Sequence, residues 1–365
     1  MARTPRAFTP PFCPNPTCDF HLNPEGWSFR KAGFYDRMTA PRKVQRYRCT
    51  HCRRDFSDQT FSITYWLKRP DLLPRVFEAT LSGTGLRQLA RFRACSPSTV
   101  MNHVARLGRH CLLANQFLRP KDAPEAVTVI DGFESYEYSQ YFPMHLNIAV
   151  DAKAHFIYAF SDAPLRRKGR KTAQQKKKLE QLEARHGRPD PRAIEKSIAE
   201  LVRLFAPEGS AVTLHSDEHP AYPRAFRRVQ TVEITHRTTS SKAARTAGNP
   251  LFPVNRVDLW TRHNGANHKR ETIAYSKRRQ AVMERFAILT VWLNYMKSFS
   301  EKKRDASPGE RLGITDHRLD VKELLSRRLF PSQIRLPAVW QGYYDRMVET
   351  VCIPNGKRHD LSYAY

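Results

Sequence analysis

Two stretches of this chain carry an apolar, β-branched run into a carboxylate, and that pattern restricts the folds open to it. The first is Val127-Thr128-Val129-Ile130-Asp131, followed by Gly132-Phe133-Glu134-Ser135-Tyr136. The second is Ala211-Val212-Thr213-Leu214-His215-Ser216-Asp217. Short β-branched runs read as buried strands. A carboxylate beside a sheet core is costly unless its charge is offset. Two strands that each end in Asp can bring the acids to one sheet edge, where they raise each other's pKa unless a divalent cation lies between them. Asp131 and Asp217 are therefore expected to be ligands for a hard metal in a phosphoryl-transfer site.

The charge balance narrows the partner. Lys and Arg number 62 against 35 Asp and Glu, a net charge of +27. A field of that sign favours a polyanion, either nucleic acid or an anionic membrane surface. No apolar run approaches the ~20 residues of a spanning helix. Met1-Ala2-Arg3-Thr4-Pro5-Arg6 has no apolar segment behind it to act as a signal peptide. Nucleic acid in the cytoplasm is the expectation, with no membrane partner. At 365 residues the chain has room for two or three domains.

Four of the seven cysteines form close pairs, Cys13/Cys18 and Cys49/Cys52, while Cys95, Cys111 and Cys352 stand alone. Two short-spaced pairs joined by a longer loop supply four thiolates to one structural Zn²⁺, as in a zinc ribbon. The alternative is four unrelated buried thiols. His21 and His51 could replace a thiolate but are expected to face solvent. So few apolar side chains lie in this stretch that it should need the metal to fold. Arg42, Lys43, Arg46, Arg48, Arg53 and Arg54 give it a basic face, suited to DNA or simply to solubility.

Residues 72–118 have helical periodicity. Leu73, Val76, Phe77 and Leu81 form one stripe, and Ser82-Gly83-Thr84-Gly85 stops it. A second short helix follows from Leu86, then a third begins at Ser96-Pro97, an N-cap followed by proline at the first helical position. This spacing predicts a helix-turn-helix whose last helix enters a major groove through Ser98, Thr99, Asn102, His103 and Arg106, with Arg87 on the preceding helix. A three-helix spacer without DNA contact is the alternative. Arg119-Pro120-Lys121-Asp122-Ala123-Pro124 reads as a linker.

The 127 strand, Leu146-Val150 and His155-Phe160 make an antiparallel meander. Between Ala163 and Arg188 there are ten Lys or Arg and two Glu. That segment is either a solvated insertion or a clamp on the phosphate backbone. Ile194, Ile198, Leu201, Val202 and Phe205 form an amphipathic helix leading to the Asp217 strand. A two-metal site needs a further acid. Among Glu218, Asp258, Glu271 and Glu284, the choice falls on Asp258, placed in the first turn of a helix opening at Asn255, with Glu271 second. A helix-terminal acid serving only the macrodipole is the alternative for Asp258.

Zinc ribbon, helix-turn-helix, strand-Asp, strand-Asp and helix-acid, in that order, resemble the DDE transposases of small bacterial insertion sequences. The likeness extends to Arg46-Tyr47-Arg48-Cys49-Thr50-His51-Cys52-Arg53, Gly85-Leu86-Arg87-Gln88-Leu89-Ala90-Arg91, Arg262-His263-Asn264 with Tyr275-Ser276-Lys277, and Ser307-Pro308-Gly309-Glu310-Arg311-Leu312-Gly313-Ile314-Thr315-Asp316-His317. The resemblance implies an α/β, ribonuclease H-like mixed sheet with flanking helices. It implies a zinc ribbon over 1–68, a helix-turn-helix over 69–120, a catalytic domain over 125–300 with a basic helical insertion over 163–205, and a C-terminal extension over 301–365. It also implies two Mg²⁺ (Mn²⁺ as a substitute) on Asp131, Asp217 and Asp258, the last at a position that is usually Glu in the family. Cleavage at insertion-sequence ends and joining of the 3′-hydroxyl to target DNA would follow. The partners would be double-stranded DNA and further copies of the chain on the nucleoid, with Arg262 and Lys269 added to the DNA-binding set. A catalytically inactive DNA-binding regulator and a stand-alone metal-dependent nuclease are the rival expectations.

Overall fold

The computed structural model describes residues 8–269 and 272–353. The chain begins with a three-stranded antiparallel sheet, β1 (Phe29–Asp36), β2 (Lys43–Cys49) and β3 (Asp55–Ser57), in the order β1-β2-β3. Phe29, Tyr47, Phe56 and Phe61 gather beneath it with the four cysteines, and Phe330 from far down the chain completes this small core. Residues 328–333 therefore clasp the sheet. The Arg328 backbone amide donates to the Phe61 carbonyl at 2.9 Å, and the Gln333 side-chain Nε2 to that of His21 at 2.8 Å.

Three helices follow, α1 (Leu72–Thr80), α2 (Leu86–Phe92) and α3 (Pro97–Leu118). Ser96 caps α3 as its sequence predicts, with Oγ accepting from the Ser98 amide at 3.2 Å and Pro97 in the first turn. Helix α3 does not stop at the end of a three-helix unit. Its apolar stripe continues through Leu107, Cys111, Leu112 and Ala114 into the main core.

The larger sheet contains β4 (Thr128–Tyr136), β5 (Pro143–Asp151), β6 (Ile157–Pro164), β7 (Ala211–Ser216) and β8 (Glu233–Thr238), in the order β6-β5-β4-β7-β8. The expected meander β4-β5-β6 is antiparallel, while β7 pairs with β4 and β8 with β7 in parallel. Between β6 and β7 come α4 (Ala173–His186) and α5 (Ala193–Phe205); α6 (Ala221–Phe226) follows β7. Only Leu179 of α4 is buried, as suits a strongly basic helix. Helix α5 differs: Ile198, Leu201, Val202 and Phe205 bury one face against β5 and β6. Residues 193–205 are thus a layer on the sheet and not part of an inserted segment, because their apolar period of 3.6 requires a partner surface.

Helices α7 (Phe252–Asn264) and α8 (Arg279–Val291) cover the sheet with the end of α3, and α8 runs on into a wider turn over Trp292–Met296. Gly108 lets α3 approach α8, since a Cβ there would lie 2.7 Å from the Glu284 backbone. The expected core positions Val282, Phe286, Leu289 and Leu293 are all buried. Residues 308–344 are integral to this core too. Trp340, on α11 (Ala338–Tyr344, after the short α9 at Pro308–Arg311 and α10 at Val321–Leu324), is fully buried and donates to the Phe160 carbonyl at 3.0 Å. The result is a mixed α/β fold with a mixed sheet and flanking helices. None of the helices among the described residues is long and apolar enough to cross a membrane.

Candidate active site

The thiol site is built locally. Cys13 and Cys18 lie on the turn before β1, Cys49 ends β2 and Cys52 sits on the turn to β3. Their sulfur atoms all fall within 4.8 Å of one another, with Cys13 and Cys52 at 3.6 Å. Four thiolates about 2.3 Å from a tetrahedral Zn²⁺ stand about 3.8 Å apart, so the cluster can hold that ion. Burial raises the Cys49 thiol, but the Trp27 indole at 3.2 Å and the Cys52 and His51 amides outweigh it and bring it down to about 7. A thiol so disposed ionises readily for a metal. His21 does not face solvent. It is buried, bonded to the Cys13 carbonyl and Ser332 Oγ at 2.8 Å each, because the C-terminal clasp covers it. His51 is exposed beside Asp19.

The acidic site is built by sheet register. Asp131 does not end its strand, since pairing with β5 carries β4 on to Tyr136. What ends near Asp131 is the pairing with β7, whose partners are Thr128↔Leu214 and Val129↔His215. Continuing that register by two residues brings Asp131 level with Asp217, just beyond the end of β7. Side chains alternate along a strand, so Asp131 shares a face with Phe133. Phe133 packs on His268 at 5.1 Å and lies under the Arg262 guanidinium at 4.3 Å, which marks this face as that of α7. Asp258 lies on α7, one turn before Arg262. It is not in the first turn as expected: the helix begins at Phe252, with Pro253 in its first turn, and carries no acid there. The macrodipole alternative for Asp258 loses its ground. Glu271 lies outside the described residues.

Tyr222, on α6, is buried against Asp131. Its hydroxyl donates to Asp131 Oδ1 at 3.4 Å. Burial and then the charges of Asp131, Asp217 and Asp258 hold its phenol far above the usual range. Burial, with help from Asp217, pushes Asp131 up to about 6 against the Gly132 amide, Tyr222 and Arg245. Burial, with help from Asp131, pushes Asp258 up to about 8 against Arg262 and Arg245. Asp217 Oδ1 accepts from the His219 amide at 2.9 Å, which fixes the turn after β7. Asp258 Oδ1 is buried with no hydrogen-bond partner among the described residues. An orphaned acceptor on an all-oxygen donor set is suited to a hard cation. The three carboxylates do not close to the spacing of the thiols. Ligands around two ions about 3.5–4 Å apart do not require it.

His145 lies on the other face of β4, opposite Asp131. Its imidazole lies across Gly132, where a Cβ would fall 1.6 Å from Cε1, and Nδ1 bonds Asn147 Oδ1 at 2.7 Å. Tyr222 and Arg245 were not anticipated from the sequence; the glycine after Asp131 signals only the close approach of His145 on the other face.

The residues expected to meet DNA are divided. Arg53, Arg87, Ser98, Asn102 and Lys269 are exposed, and Thr99 is half-buried. Arg46 is exposed but 3.6 Å from Asp55, which Arg48 grips with two bonds of 2.6 and 2.8 Å. Arg54 reaches Asn15 at 3.0 Å. His103 is buried and not on an exposed face, bonded to the Thr99 and Arg69 carbonyls, because the segment before α1 folds over it. Arg106 turns inward to the Ile63 carbonyl at 2.9 Å. Arg262 lies half-buried beside the acids.

No protein-family model matches the chain. Among solved structures, the chain is similar to a chain of the simian T-cell lymphotropic virus intasome in complex with the PP2A regulatory subunit B56 gamma. The two share 12% identity over 64% of this chain and 70% of that one, with a TM-score of 0.25. Superposition that loose bears on neither fold nor function.

Proposed function

We propose that this protein is a metal-dependent DNA transposase of the zinc-ribbon DDE type, with a ribonuclease H-like catalytic domain. The observation that carries this reading is the acidic site: Asp131 on β4, Asp217 at its level beyond β7, and Asp258 on α7, all within the field felt by Tyr222. The mixed sheet fits the order strand-Asp, strand-Asp, helix-acid on which the resemblance rests. Asp131, Asp217 and Asp258 would hold two Mg²⁺, with Mn²⁺ as substitute, which would activate the attacking water or 3′-hydroxyl and stabilise the leaving oxygen.

The chain's own residues do the positioning. Asp131 and Asp217 present carboxylates from adjacent strands, and Asp258 offers its open oxygen from α7. Tyr222 restrains Asp131 by its hydrogen bond. Arg245, exposed on the loop before α7, and Arg262 place positive charge where a phosphodiester would lie. The ribbon and α2–α3 hold double-stranded DNA, the transposon end or the target, through Arg53, Arg87, Ser98 and Asn102, and copies of the chain assemble on it in the nucleoid.

The test uses DNA carrying the inverted repeats that flank the gene. Purified protein should nick it in Mg²⁺ or Mn²⁺ and join the freed 3′-end to a second duplex. Asp131→Asn, Asp217→Asn and Asp258→Asn should bind that DNA as the parent does and leave it uncut. Binding without nicking by the parent protein would refute the assignment.

A further inference from the structure

The register that levels Asp131 with Asp217 also sets a second row of side chains on the same face. Val129 pairs with His215, and His215 with Arg237, across β4, β7 and β8. Side chains alternate along a strand, so this row lies two residues before the acids, about 7 Å away at the rise of a parallel strand. A cleft of about 360 Å³ opens over the row, lined by Val129, His215 and Arg237 with His155, Pro250 and Phe252. That volume falls in the range of ligand clefts. Helix α7 ties the cleft to the acids. Phe252 stands at the cleft with Val129, Arg262 lies over Phe133, and Asp258 falls between them on the helix.

The polar groups around the cleft are held in place. Asn249 pins the loop before α7, its amide donating to the Ala244 carbonyl and its oxygen accepting from the Leu251 amide, each at 2.8 Å. The same loop carries Arg245, whose charge reaches Asp131 and Asp258. His215 Nε2 bonds Thr239 Oγ1 at 2.7 Å. Arg256 Nη1 lies 3.2 Å from His155 Nδ1. Arginine only donates, so Nδ1 accepts and the imidazole proton sits on Nε2. Burial, with Arg256 and Arg311, brings His155 down to about 4 and keeps it neutral. Arg237 is exposed, and among the described residues it has no carboxylate partner. A guanidinium on the rim of a cleft with apolar walls suits a phosphate joined to a flat heterocycle.

We infer that this cleft takes the nucleotide next to the scissile phosphate, its own phosphate on Arg237 and its base among Val129, His155 and Phe252. The inference rests on the phosphodiester-cutting reading above. The acids and the cleft share one sheet face and one helix, so a strand held in the cleft has its neighbouring phosphodiester fixed against the acids. Holding one residue of the strand in a formed pocket converts loose backbone contact into a defined cutting position.

The experiment titrates the full zinc-loaded chain, free of Mg²⁺, with thymidine 5′-monophosphate, with thymidine and with inorganic phosphate. Saturation-transfer NMR reads binding, so no cutting is needed. The monophosphate should bind more tightly than either of its parts, with saturation reaching its base protons. Arg237→Ala should weaken it about tenfold, the loss of one charge-assisted contact. Ala247 lines the same cleft from the exposed loop, so Ala247→Glu should set a carboxylate against the phosphate and abolish binding. Both variants should melt with the parent. No binding by the parent would overturn the inference, and so would both variants binding as the parent does. Inorganic phosphate binding as tightly as the monophosphate would overturn it too, leaving a simple anion site. Failure of the parent to cut DNA, with these binding differences intact, would sink the transposase reading alone.

Discussion

The thiol cluster and the acidic cluster are both sets of metal-type ligands, yet they are assembled in opposite ways. The cysteines come in pairs a few residues apart on two turns of one small sheet, and their sulfur atoms crowd within 4.8 Å. The aspartates come from a central strand, a strand end and a helix spread from 131 to 258, and they stay apart while Asp217 helps raise Asp131 and Asp131 helps raise Asp258. A soft, closed site can be written into local spacing. An open site for hard cations depends on sheet register and helix placement, so the rest of the fold must already be correct. The first site should therefore govern whether its region folds, and the second should govern activity and pH response while the fold survives.

The largest expected effect lies at the thiols. Structural zinc contributes about 10–16 kcal/mol of folding free energy in small metal-dependent units. Cys49→Ser, or a strong chelator, should abolish amide-exchange protection across β1–β3 and leave β4–β8 protected. Retained protection in β1–β3 would erase the contrast between the sites. At the acids the effect should fall on rate. Asp131→Asn, Asp217→Asn or Asp258→Asn should each lower strand cleavage about a thousandfold, several kcal/mol of transition-state stabilisation. None of the three should unfold the chain. A variant that unfolds, or one that cuts normally, would break the comparison from the other side.

These two sites were unequally legible for the same reason. Cys13/Cys18 and Cys49/Cys52 announce themselves because ligand spacing is a local property. For the strands, β-branched composition locates Thr128–Tyr136 and Ala211–Ser216, but it cannot say where β4 stops. The ladder with β5 decides that, through pairs such as Tyr136↔Pro143. Asp258 is legible as an acid on a helix, although the helix begins earlier than the polar residues around Asn255 suggest, since Phe252 and Pro253 form its first turn. Tyr222 could not be found at all. Nothing in its spacing from Asp217 signals a contact that exists because α6 brings it to Asp131 within β4. His103 shows the converse error: helical period places it with Asn102 near the exposed side, and the Arg69 carbonyl from outside the helix buries it.

The acids should also make stability depend on pH in a way the thiols do not. Unfolded Asp titrates near 3.9, whereas burial lifts Asp131 to about 6 and Asp258 to about 8. Raised folded values mean that the folded chain binds these protons more tightly. Their contribution to stability is present below about pH 4 and is lost as pH rises, through about 6 for Asp131 and about 8 for Asp258. Metal-free Asp258→Asn should therefore melt above the parent at pH 8 and converge with it toward pH 4. Added Mg²⁺ should raise the parent at pH 8 and leave the variant nearly unmoved. Identical melting curves across that range would mean that Asp258 is not held in a dry, acid-rich site.

The smallest effect separates charges already used within the zinc-binding sheet from charges open to a partner. Arg48 holds Asp55 in a half-exposed bidentate pair, whereas Arg53 is exposed on the turn after Cys52. Exposed ion pairs contribute about 0–1 kcal/mol to stability, so Arg48→Ala should barely move the melting temperature. A residue that neutralises a phosphate releases counterions, and losing it lowers the slope of log affinity against log salt by about 1. Arg53→Ala should show that drop on duplex DNA, and Arg48→Ala should not, because its charge is answered by Asp55 before DNA arrives. Equal slopes for the two variants would mean that DNA displaces the Asp55 pairing, and the sheet would then be remodelled on binding instead of presenting a preset basic face.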